Sequence, residues 1–317
     1  MHRYIIKRLF LMIPVIIGVS FLVFFIMDMA PGDAVDLMAP EGATAEDLDA
    51  IRHDLGLDQP VVIRYVKYMS GMLRGDMGVS YVSKTDVFDT YMEKLPATIK
   101  LSFASILVSV LLSVPLGIYS ATKQGTIQDN ISMVLAMIGL SMPNFWLGLL
   151  LIIAFSLKLH MFPSGGDQTL SSIVLPALTI GTGLMATLTR TTRSSMLDVL
   201  KQEYLRTARA KGIPEKIVVM SHALRNALIP IITIIGTQLA GVLGGSVLTE
   251  TVFAWPGVGR LIVDSLNMRD TPLVTGSIIM TTILLSIVLL LVDLLYAVVD
   301  PRIKAQYITK RGKRKHG

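Results

Sequence analysis

The sequence predicts an all-α integral membrane protein, and three observations support this fold class. Of the 317 residues, 52% are hydrophobic and only 16% are charged, whereas about a quarter of the residues in a soluble domain are charged. The apolar residues are collected in six stretches, each near the roughly 20 residues that a helix needs to cross a bilayer. Lysine and arginine are concentrated in alternate connections between these stretches, which is typical of a multi-pass membrane protein.

We predict membrane-spanning helices at residues 9–27, 101–121, 131–157, 173–189, 228–248 and 274–298. Arg3, Lys7 and Arg8 precede the first span, as basic residues do in a signal peptide. The apolar run is longer than the roughly 7–15 residues usual in such a peptide, which favours a retained anchor. In this organisation, the chain consists of the amino end with span one (1–27), an external segment (28–95), a membrane core with spans two to six (96–298) and a basic tail (299–317).

Basic residues determine the predicted orientation, because short cytoplasmic loops carry an excess of lysine and arginine. With six spans, the amino end, the connection between spans four and five, and the tail lie on one side, so we expect both termini in the cytoplasm. The connection carries Arg190, Arg193, Lys201, Arg206, Arg209, Lys211, Lys216 and Arg225, and the tail carries Arg302, Lys304, Lys310, Arg311, Lys313, Arg314 and Lys315. The net charge of +6 is explained by this topology, since no arginine stripe or aromatic–basic interleaving indicates nucleic acid as a partner.

The external segment is too polar to span a membrane and too patterned to be disordered. Thr44 with Asp47 is typical of a capped helix start, and an apolar stripe follows at Leu48, Ile51 and Leu55. A second helix is predicted from near Pro60, with one apolar side formed by Val62, Tyr65, Val66, Met69 and Leu73. This helical insertion either covers the span ends or meets an external partner, and the sequence leaves both interpretations open.

The sequence lacks the motifs of the common enzyme classes. It has no cysteine, no G-x-x-x-x-G-K-[ST] phosphate loop, no H-E-x-x-H and no G-x-S-x-G. The five histidines are scattered without metal-ligand spacing, at His2, His53, His160, His222 and His316. We therefore expect no catalytic, cofactor or metal site in this chain. Asp293 is the clearest ionisable residue within a span, and we favour for it a structural role beside a neighbouring helix.

Two spans carry candidate pathway residues. In span three, Ser141 and Asn144 flank a proline, and such a break is tolerated in lipid where it is buried in protein or faces a water-filled cavity. A kinked helix that lines a pathway and an ordinary packing kink are equally open interpretations. In span five, Gln238 is polar near mid-membrane, whereas Gly241 and Gly245 form a G-x-x-x-G pair for which close helix packing is the leading interpretation.

The strongest local feature is the long cytoplasmic connection at 191–227. Residues 203–211 are compatible with a helix, Gly212 supplies a helix stop, and a proline two residues later opens the next helix. Ala208, Ala210 and Gly212 keep the surface of the turn small, so the backbone of another protein could come close. The alternative is a basic loop whose only role is to follow the positive-inside rule.

At this connection the sequence resembles a known family. The stretch Glu203-Tyr204-Leu205-Arg206-Thr207-Ala208-Arg209-Ala210-Lys211-Gly212, followed by His222-Ala223-Leu224-Arg225-Asn226-Ala227, is similar to the coupling-loop signature of ABC importer permeases. It most resembles the dipeptide/oligopeptide/nickel branch. The general signature has Glu-Ala-Ala at Arg206, Thr207 and Ala208, so only the alanine matches, and the role of the glutamate is not carried over.

Other ordered matches extend the resemblance over essentially the whole chain. They are Ala30-Pro31-Gly32-Asp33, Leu55-Gly56-Leu57-Asp58-Gln59-Pro60, Gly75-Asp76-Met77-Gly78, Leu95-Pro96-Ala97-Thr98, Pro143-Asn144-Phe145-Trp146, Phe162-Pro163-Ser164-Gly165-Gly166, Phe253-Ala254-Trp255-Pro256-Gly257 and Asp300-Pro301-Arg302. The resemblance implies the six-helix type I importer fold, with an external helical insertion after span one as in the first permease subunit of the family.

The resemblance also implies a division of labour. The expected partners are a second homologous permease subunit, two cytoplasmic ABC ATPase subunits that bind ATP, an extracytoplasmic peptide-binding protein and the lipid bilayer. The expected location is the inner or cell membrane of a bacterium or archaeon. The residues expected to couple to an ATPase are Glu203, Arg206, Thr207, Ala208, Arg209, Ala210, Lys211 and Gly212.

The cargo that the resemblance implies is short peptides, with nickel and glutathione as alternatives in the same family. A secondary carrier driven by an ion gradient is less favoured, because no relay of ionisable groups is visible in the spans. A membrane enzyme is less favoured because the catalytic motifs are missing.

Overall fold

The computed structural model describes residues 2–29, 35, 38–39 and 42–299. The stretches at 30–33 and 300–302 that resemble the family, and the basic tail beyond residue 299, lie outside the described residues. Within the described part the chain is helical and has no β-strand, which confirms the all-α fold class.

Along the described part of the chain the helices follow one another, with an isolated β-bridge between Val79 and Asp86. We number them α1 His2–Met29, α2 Ala45–Asp54, α3 Val61–Met72, α4 Val87–Thr122, α5 Ile127–Ser141, α6 Asn144–Leu151, α7 Val174–Leu200, α8 Glu203–Ala210, α9 Glu215–Ile217, α10 Leu224–Gly245, α11 Val247–Val252, α12 Val258–Asn267 and α13 Thr271–Val299. Helix α6 continues as a π-helix over Ile152–Lys158, and a second π-helix, Val218–Ala223, joins α9 to α10. A 3₁₀ turn over Leu170–Ile173 precedes α7.

Six stretches correspond to the predicted spans. Five helical stretches are long and apolar enough to cross a membrane: Arg8–Met29, Val87–Thr122, Leu170–Leu200, Glu215–Gly245 and Thr271–Leu295. The sixth is the pair Ile127–Ser141 and Asn144–Lys158, which meet at a bend of 98°. Span three is therefore broken into two helices rather than gently kinked.

Several helix ends differ from the sequence-based expectation, because hydropathy locates apolar runs and not the ends of helices. Helix α7, predicted to end at residue 189, runs on to Leu200 and into the predicted cytoplasmic connection. Helix α4 begins at Val87, inside the range assigned to the external segment. Helix α10 ends at Gly245, before the expected end of span five at residue 248, and Ser246 then leads directly into α11.

The chain divides into two compact units. The first unit comprises residues 1–100 and 244–286, and the second comprises residues 101–243 and 287–317. In the first unit, the side chains of Tyr91 and Phe253 are fully buried, and the indole of Trp255 donates a hydrogen bond to the carbonyl of Ala97 at 2.9 Å. The unit therefore joins the start of α4 to the loop between α11 and α12.

The two predicted external helices are present as α2 and α3. At the start of α2, the Thr44 hydroxyl accepts from the amide of Asp47, and the Asp47 carboxylate accepts from the amide of Thr44 at 2.9 Å. This capping box satisfies two amides that have no partner within the helix. The Thr44 hydroxyl also donates to the Asp47 carboxylate at 2.7 Å. The hydrogen bonds from the Thr44 amide and from this hydroxyl favour the charged form and hold the pKa of the Asp47 carboxyl below its usual range.

The packing face of α3 differs from the predicted apolar side. The aromatic ring of Tyr65 packs against Phe24 of α1, and Tyr68 packs against the same phenylalanine. By contrast, Val62 and Val66 are more than half exposed. The predicted apolar side is therefore divided: Tyr65 packs against α1, whereas the two valines on the same side are left exposed.

In the second unit, small residues let the spans approach closely. A Cβ at Gly117 of α4 would lie 2.6 Å from the Cβ of Thr192 on α7, and a Cβ at Gly139 of α5 would overlap the carbonyl oxygen of Thr182. Glycine at such points allows two backbones to come together in lipid, where dispersion contacts replace the hydrophobic effect. Helix α7 is thereby held between α4 and α5, and its carboxyl end leads directly into α8.

Candidate functional site

The predicted cytoplasmic connection folds onto the ends of three spans. Leu205 of α8 is fully buried, and it belongs to one core with Met196 of α7 and Val218 of the second π-helix. Ile118 of α4 and Ile231 of α10 belong to the same core. Since side chains in such a core have little freedom to move separately, a push on α8 is transmitted to these three helices together.

The outward side of α8 is polar. The residues exposed there are Glu203, Tyr204, Arg206, Thr207, Arg209 and Ala210. Arg206 pairs with Glu203 at 3.1 Å, and both side chains are well exposed, so this ion pair adds little stability. The helix therefore presents a charged surface with a small residue, Ala210, near its end.

Ala208 does not lie on this outward side. It is half-buried and packs against the core beneath α8, so its small side chain has a reason inside the chain itself. Of the three small residues that the sequence singled out, only Ala210 and Gly212 are exposed.

A turn with fixed geometry follows α8. Gly212 has φ +76°, its amide donates to the carbonyl of Arg209 at 2.9 Å, and no other heavy atom lies within 4 Å of where its Cβ would be. Beyond the turn, the Arg209 guanidinium forms two hydrogen bonds to the Glu215 carboxylate, at 3.0 and 2.8 Å. The carboxylate raises the pKa of Arg209 further above its usual value, so the pair stays ionised and braces the turn.

The bend in span three brings two candidate pathway residues to the surface of the chain. Ser141 and Asn144, on either side of the bend, are both exposed, and the Ser141 hydroxyl donates back to the carbonyl of Met137 at 3.1 Å. The Asn144 side chain lies against Gly183 of α7, where a Cβ would stand 2.6 Å from its Oδ1 atom. A larger residue at Gly183 would thus displace the amide from the bend.

Helix α10 has two different glycine faces. Gly236 and Gly244 contact Val292 and Leu285 of α13, so these two glycines provide the close packing. Gly241 and Gly245 are exposed, and no heavy atom lies within 4 Å of an ideal Cβ at either position. The G-x-x-x-G pair therefore leaves an open surface on this chain.

Gln238 lies between these faces and is half-buried. Its amide nitrogen donates to the carbonyl of Leu184 on α7 at 3.1 Å, whereas its amide oxygen is buried without a hydrogen-bond partner in the described part of the chain. The amide nitrogen of Gln238 therefore takes part in helix packing, whereas its buried oxygen is left unsatisfied. Asp293 on α13 is half-buried and has an interaction of its own, and its structural role stays a prediction.

Sequence reasoning missed the buried acidic residues. Asp129 at the start of α5 forms a two-point ion pair with Arg193, which the sequence counted only as a topological charge. Glu250 of α11 is fully buried and accepts from Thr98, Ser246 and the amide of Arg260. Only the position of Glu250 just before the Phe-Ala-Trp-Pro-Gly stretch could have drawn attention to it.

A third buried acid, Asp270, joins two distant parts of the first unit. It accepts from the hydroxyl of Ser80 at 2.5 Å and from the amide of Tyr81 at 3.2 Å. Asp270 stands immediately before α13, so the loop before α4 is fastened to the start of the last span. Among the described residues, no group of three or more His, Asp or Glu side chains is arranged to hold a metal ion.

The chain matches two family models. One is described as "Binding-protein-dependent transport system inner membrane component" and matches residues 113–305. The other represents the amino-terminal part of such membrane components and matches residues 1–102.

Curated proteins with similar sequences match over nearly their full length. The chain is 42% identical to the oligopeptide transport system permease protein AppB of Bacillus subtilis, with 96% of this chain and 100% of AppB covered. It is 41% identical to the glutathione transport system permease protein GsiC of Escherichia coli K12, with 96% and 99% covered. It is 38% identical to the dipeptide transport system permease protein DppB of the same strain, again with 96% and 99% covered.

Solved structures with the same fold are also known. A chain of the MetNI methionine ABC transporter in an inward-facing conformation superposes with a TM-score of 0.58 at 16% identity, covering 67% of this chain and 96% of that one. A second crystal form of MetNI gives a TM-score of 0.53 at 19% identity, with 67% and 97% covered. At these identities the likeness concerns the fold.

Proposed function

Since this chain belongs to the binding-protein-dependent transport system inner membrane components, the permease subunits of ABC importers, we propose that it forms half of a translocation pathway for short peptides. The proposed complex contains a second homologous permease subunit and two cytoplasmic ATPase subunits. An extracytoplasmic binding protein would deliver the cargo. ATP would be bound and hydrolysed by the ATPase subunits, because this sequence has no phosphate loop.

The packing of α8 is the observation that carries the coupling part of this proposal. Its buried side shares one core with α4, α7 and α10, and its outward side is charged and exposed. Closure of an ATPase against α8 would move these helices as one body and change the side to which the pathway opens. Glu203, Arg206, Thr207, Arg209, Ala210, Lys211 and Gly212 would form the docking surface, with Ala208 beneath it.

The proposed pathway lies at the bend in span three and along the open face of α10. Ser141 and Asn144 expose polar groups beside a break in the helix, and irregular backbone at membrane depth is tolerated where it borders water or protein. Gly241 and Gly245 add a side-chain-free surface, and the half-buried Gln238 lies on the same helix. Such a roomy and weakly polar lining suits peptides of different sequence.

We infer that both termini lie in the cytoplasm of a bacterium or archaeon. The support is the distribution of lysine and arginine over the short connections. Because the chain has no cysteine, single cysteines at Gly42 and Gly317 report on sidedness directly. In intact cells a membrane-impermeant thiol reagent should label the first and not the second, and labelling of both would contradict the orientation.

Glutathione is the second candidate cargo, because GsiC has nearly the same identity to this chain as AppB. The complete complex, reconstituted in proteoliposomes with its binding protein, should take up dipeptides or oligopeptides when ATP is supplied. Glutathione and nickel are offered in parallel. Uptake of glutathione alone would select the second candidate, and uptake of nickel alone would refute both.

Coupling is tested by adding a carboxylate at one exposed residue. Ala210→Glu should reduce co-purification of the ATPase or separate hydrolysis from transport, because the added side chain must be packed in the interface. Gln124→Glu adds the same group on the exposed turn between α4 and α5 and serves as the matched control. If Ala210→Glu assembles and transports like the control at equal membrane abundance, α8 is not the docking element.

A further inference from the structure

We propose that helix α3 lies in the membrane–water interface and that the exposed apolar residues Val62 and Val66, together with Leu73 directly after the helix, contact lipid. We call these three residues the α3 strip. This interaction surface does not depend on the cargo or on the ATPase. It answers the question that the sequence left open, of whether the external insertion only covers span ends.

The contacts between α3 and α1 set the depth of α3. Arg64 forms an ion pair with Asp28 at 2.6 Å, near the end of α1. The ring of Tyr65 packs against Phe24, with centroids 5.6 Å apart, and its hydroxyl reaches the Ser20 hydroxyl at 2.9 Å. Helix α3 therefore crosses α1 beside Phe24 and not beyond its end.

The position of Phe24 can be converted into a depth. The apolar stretch of α1 ends at Met29, and a helix rises 1.5 Å per residue, so Phe24 lies about 7 Å below that end if α1 stands upright. Amphipathic helices that lie in the interface are buried by roughly 5–10 Å at the boundary between headgroups and acyl chains. Helix α3 is thus at the depth of an interfacial helix.

The α3 strip is left uncovered by the residues that the structure describes. Val62, Val66 and Leu73 are 58%, 59% and 83% exposed. Their spacings of four and seven residues place them on one side of the helix. The surface of α1 beside them is also apolar and suited to lipid, since the side chains of Phe21 and Leu22 are 46% and 56% exposed there. The strip therefore lies next to a lipid-facing surface of α1.

The rest of the exposed surface of α3 is apolar next to the strip and basic at its far edge. Ile63, which is 54% exposed, lies about 100° around the helix from Val62, and the exposed Lys67 lies about 140° around it. Arg74, also exposed, follows two residues after the end of α3. Long basic side chains at this depth extend their charged groups to the headgroup level while their stems stay in apolar surroundings. An exposed apolar surface bordered by cations is the composition of a helix that lies on a membrane.

Spin labelling measures this depth, because the chain has no cysteine to remove. Val62→Cys and Val66→Cys are labelled with a nitroxide in the assembled complex, in vesicles of phosphatidylcholine and phosphatidylglycerol. Leu22→Cys on α1 is the lipid control, and Glu46→Cys on α2, which is exposed, is the water control. We expect both α3 labels to be reached by oxygen and protected from a water-soluble nickel chelate, at a depth between the two controls.

Two outcomes overturn the proposal. If the nickel chelate reaches both α3 labels as freely as the Glu46→Cys label, α3 lies in water. If both are shielded from oxygen and from the chelate, another protein covers the strip. Val66→Trp provides an independent check: its fluorescence should be quenched by lipids brominated near the headgroup, above the background of the two native tryptophans, and Glu46→Trp should not be.

Discussion

The guanidinium of Arg193 donates two hydrogen bonds to the carboxylate of Asp129, from Nε at 2.8 Å and from Nη2 at 2.7 Å. The carboxylate is only 4% exposed and also accepts from the Ser120 hydroxyl and from the amide of Gly125 at 3.0 Å. The pair connects the start of α5 to the last turns of α7, ten residues before α8 begins. It therefore fixes the end of α7, from which the chain continues into the proposed coupling helix α8.

Removing the Arg193 guanidinium should lower the free energy of unfolding. Arg193→Ala leaves a buried carboxylate unpaired, which typically costs about 3–5 kcal/mol. We expect the lower end of that range, because Arg193 is 27% exposed. Arg193→Lys should cost less, since it keeps the charge and loses only the second hydrogen bond. The free energy of unfolding is measured in bicelles by steric trapping. Arg190→Ala, an exposed arginine on the same helix, is the control, and equal losses for Arg190 and Arg193 would contradict a structural ion pair.

Thr98 should be as important for stability as Glu250, to which it donates a hydrogen bond. Its hydroxyl donates to Glu250 at 2.8 Å and accepts from the amide of Val258 at 2.8 Å, at the start of α12. Thr98→Val keeps the shape but leaves both partners short of a hydrogen bond, which should cost about 1–3 kcal/mol in the free energy of unfolding. Thr98→Ser keeps both bonds and should be nearly neutral.

A double-mutant cycle isolates the pair. Glu250→Gln replaces one acceptor oxygen by an NH₂ group that faces hydrogen-bond donors, so it is destabilising by itself. If Thr98 and Glu250 act through their shared hydrogen bond, the losses in Thr98→Val and Glu250→Gln should fall short of additive by about 0.5–3 kcal/mol. Simple additivity would mean that the two residues stabilise α12 independently.

Two glycines in the spans should respond differently to the same substitution. Gly139→Ala would push a methyl group into the carbonyl oxygen of Thr182 and force α5 away from α7, at a cost of about 1–3 kcal/mol. Gly241→Ala meets no heavy atom within 4 Å and should leave the stability of the isolated chain unchanged. If Gly241→Ala nevertheless impairs the assembled importer, in transport or in subunit association, its open face is used by cargo or by the second permease. Equal loss of stability in both variants of the isolated chain would contradict the packing described for α10.

Residue patterns predicted what depends on local sequence. The capping box at Thr44, the extent of α3 and the turn at Gly212 all follow from chemistry within a few residues. The rotation of α3 could not be foreseen, because which side of an apolar helix is buried depends on the helix it meets, here through Tyr65 and Phe24. The pairing of Asp129 with Arg193, 64 residues apart, is likewise invisible without the fold. The environment of Ala208 could not be predicted for the same reason. The sequence shows a small residue in a connection, but it does not show whether that residue faces a partner or the core of its own chain.

At Gly212, the choice of substituted side chain separates two effects: the cost of the backbone conformation and the effect of side-chain size on docking. Its φ of +76° lies in the left-handed region, and no atom of this chain lies near its missing Cβ. The cost of a substitution in the isolated chain therefore comes from the backbone alone: about 1 kcal/mol for Gly212→Ala, less for Gly212→Asn and more for the β-branched Gly212→Val. Thermal unfolding of the isolated chain should follow that order.

Docking to the ATPase should rank the Gly212 variants in a different order from thermal unfolding. If Gly212 faces an ATPase groove, the size of the side chain decides, and Gly212→Asn should impair ATPase co-purification more than Gly212→Ala, although it disturbs the backbone less. Substrate-stimulated hydrolysis, measured at equal membrane abundance, should rank the two variants in the same way. If co-purification instead parallels the unfolding order, with Gly212→Asn the milder change, the glycine serves only the turn, and the docking surface is confined to the outward side of α8.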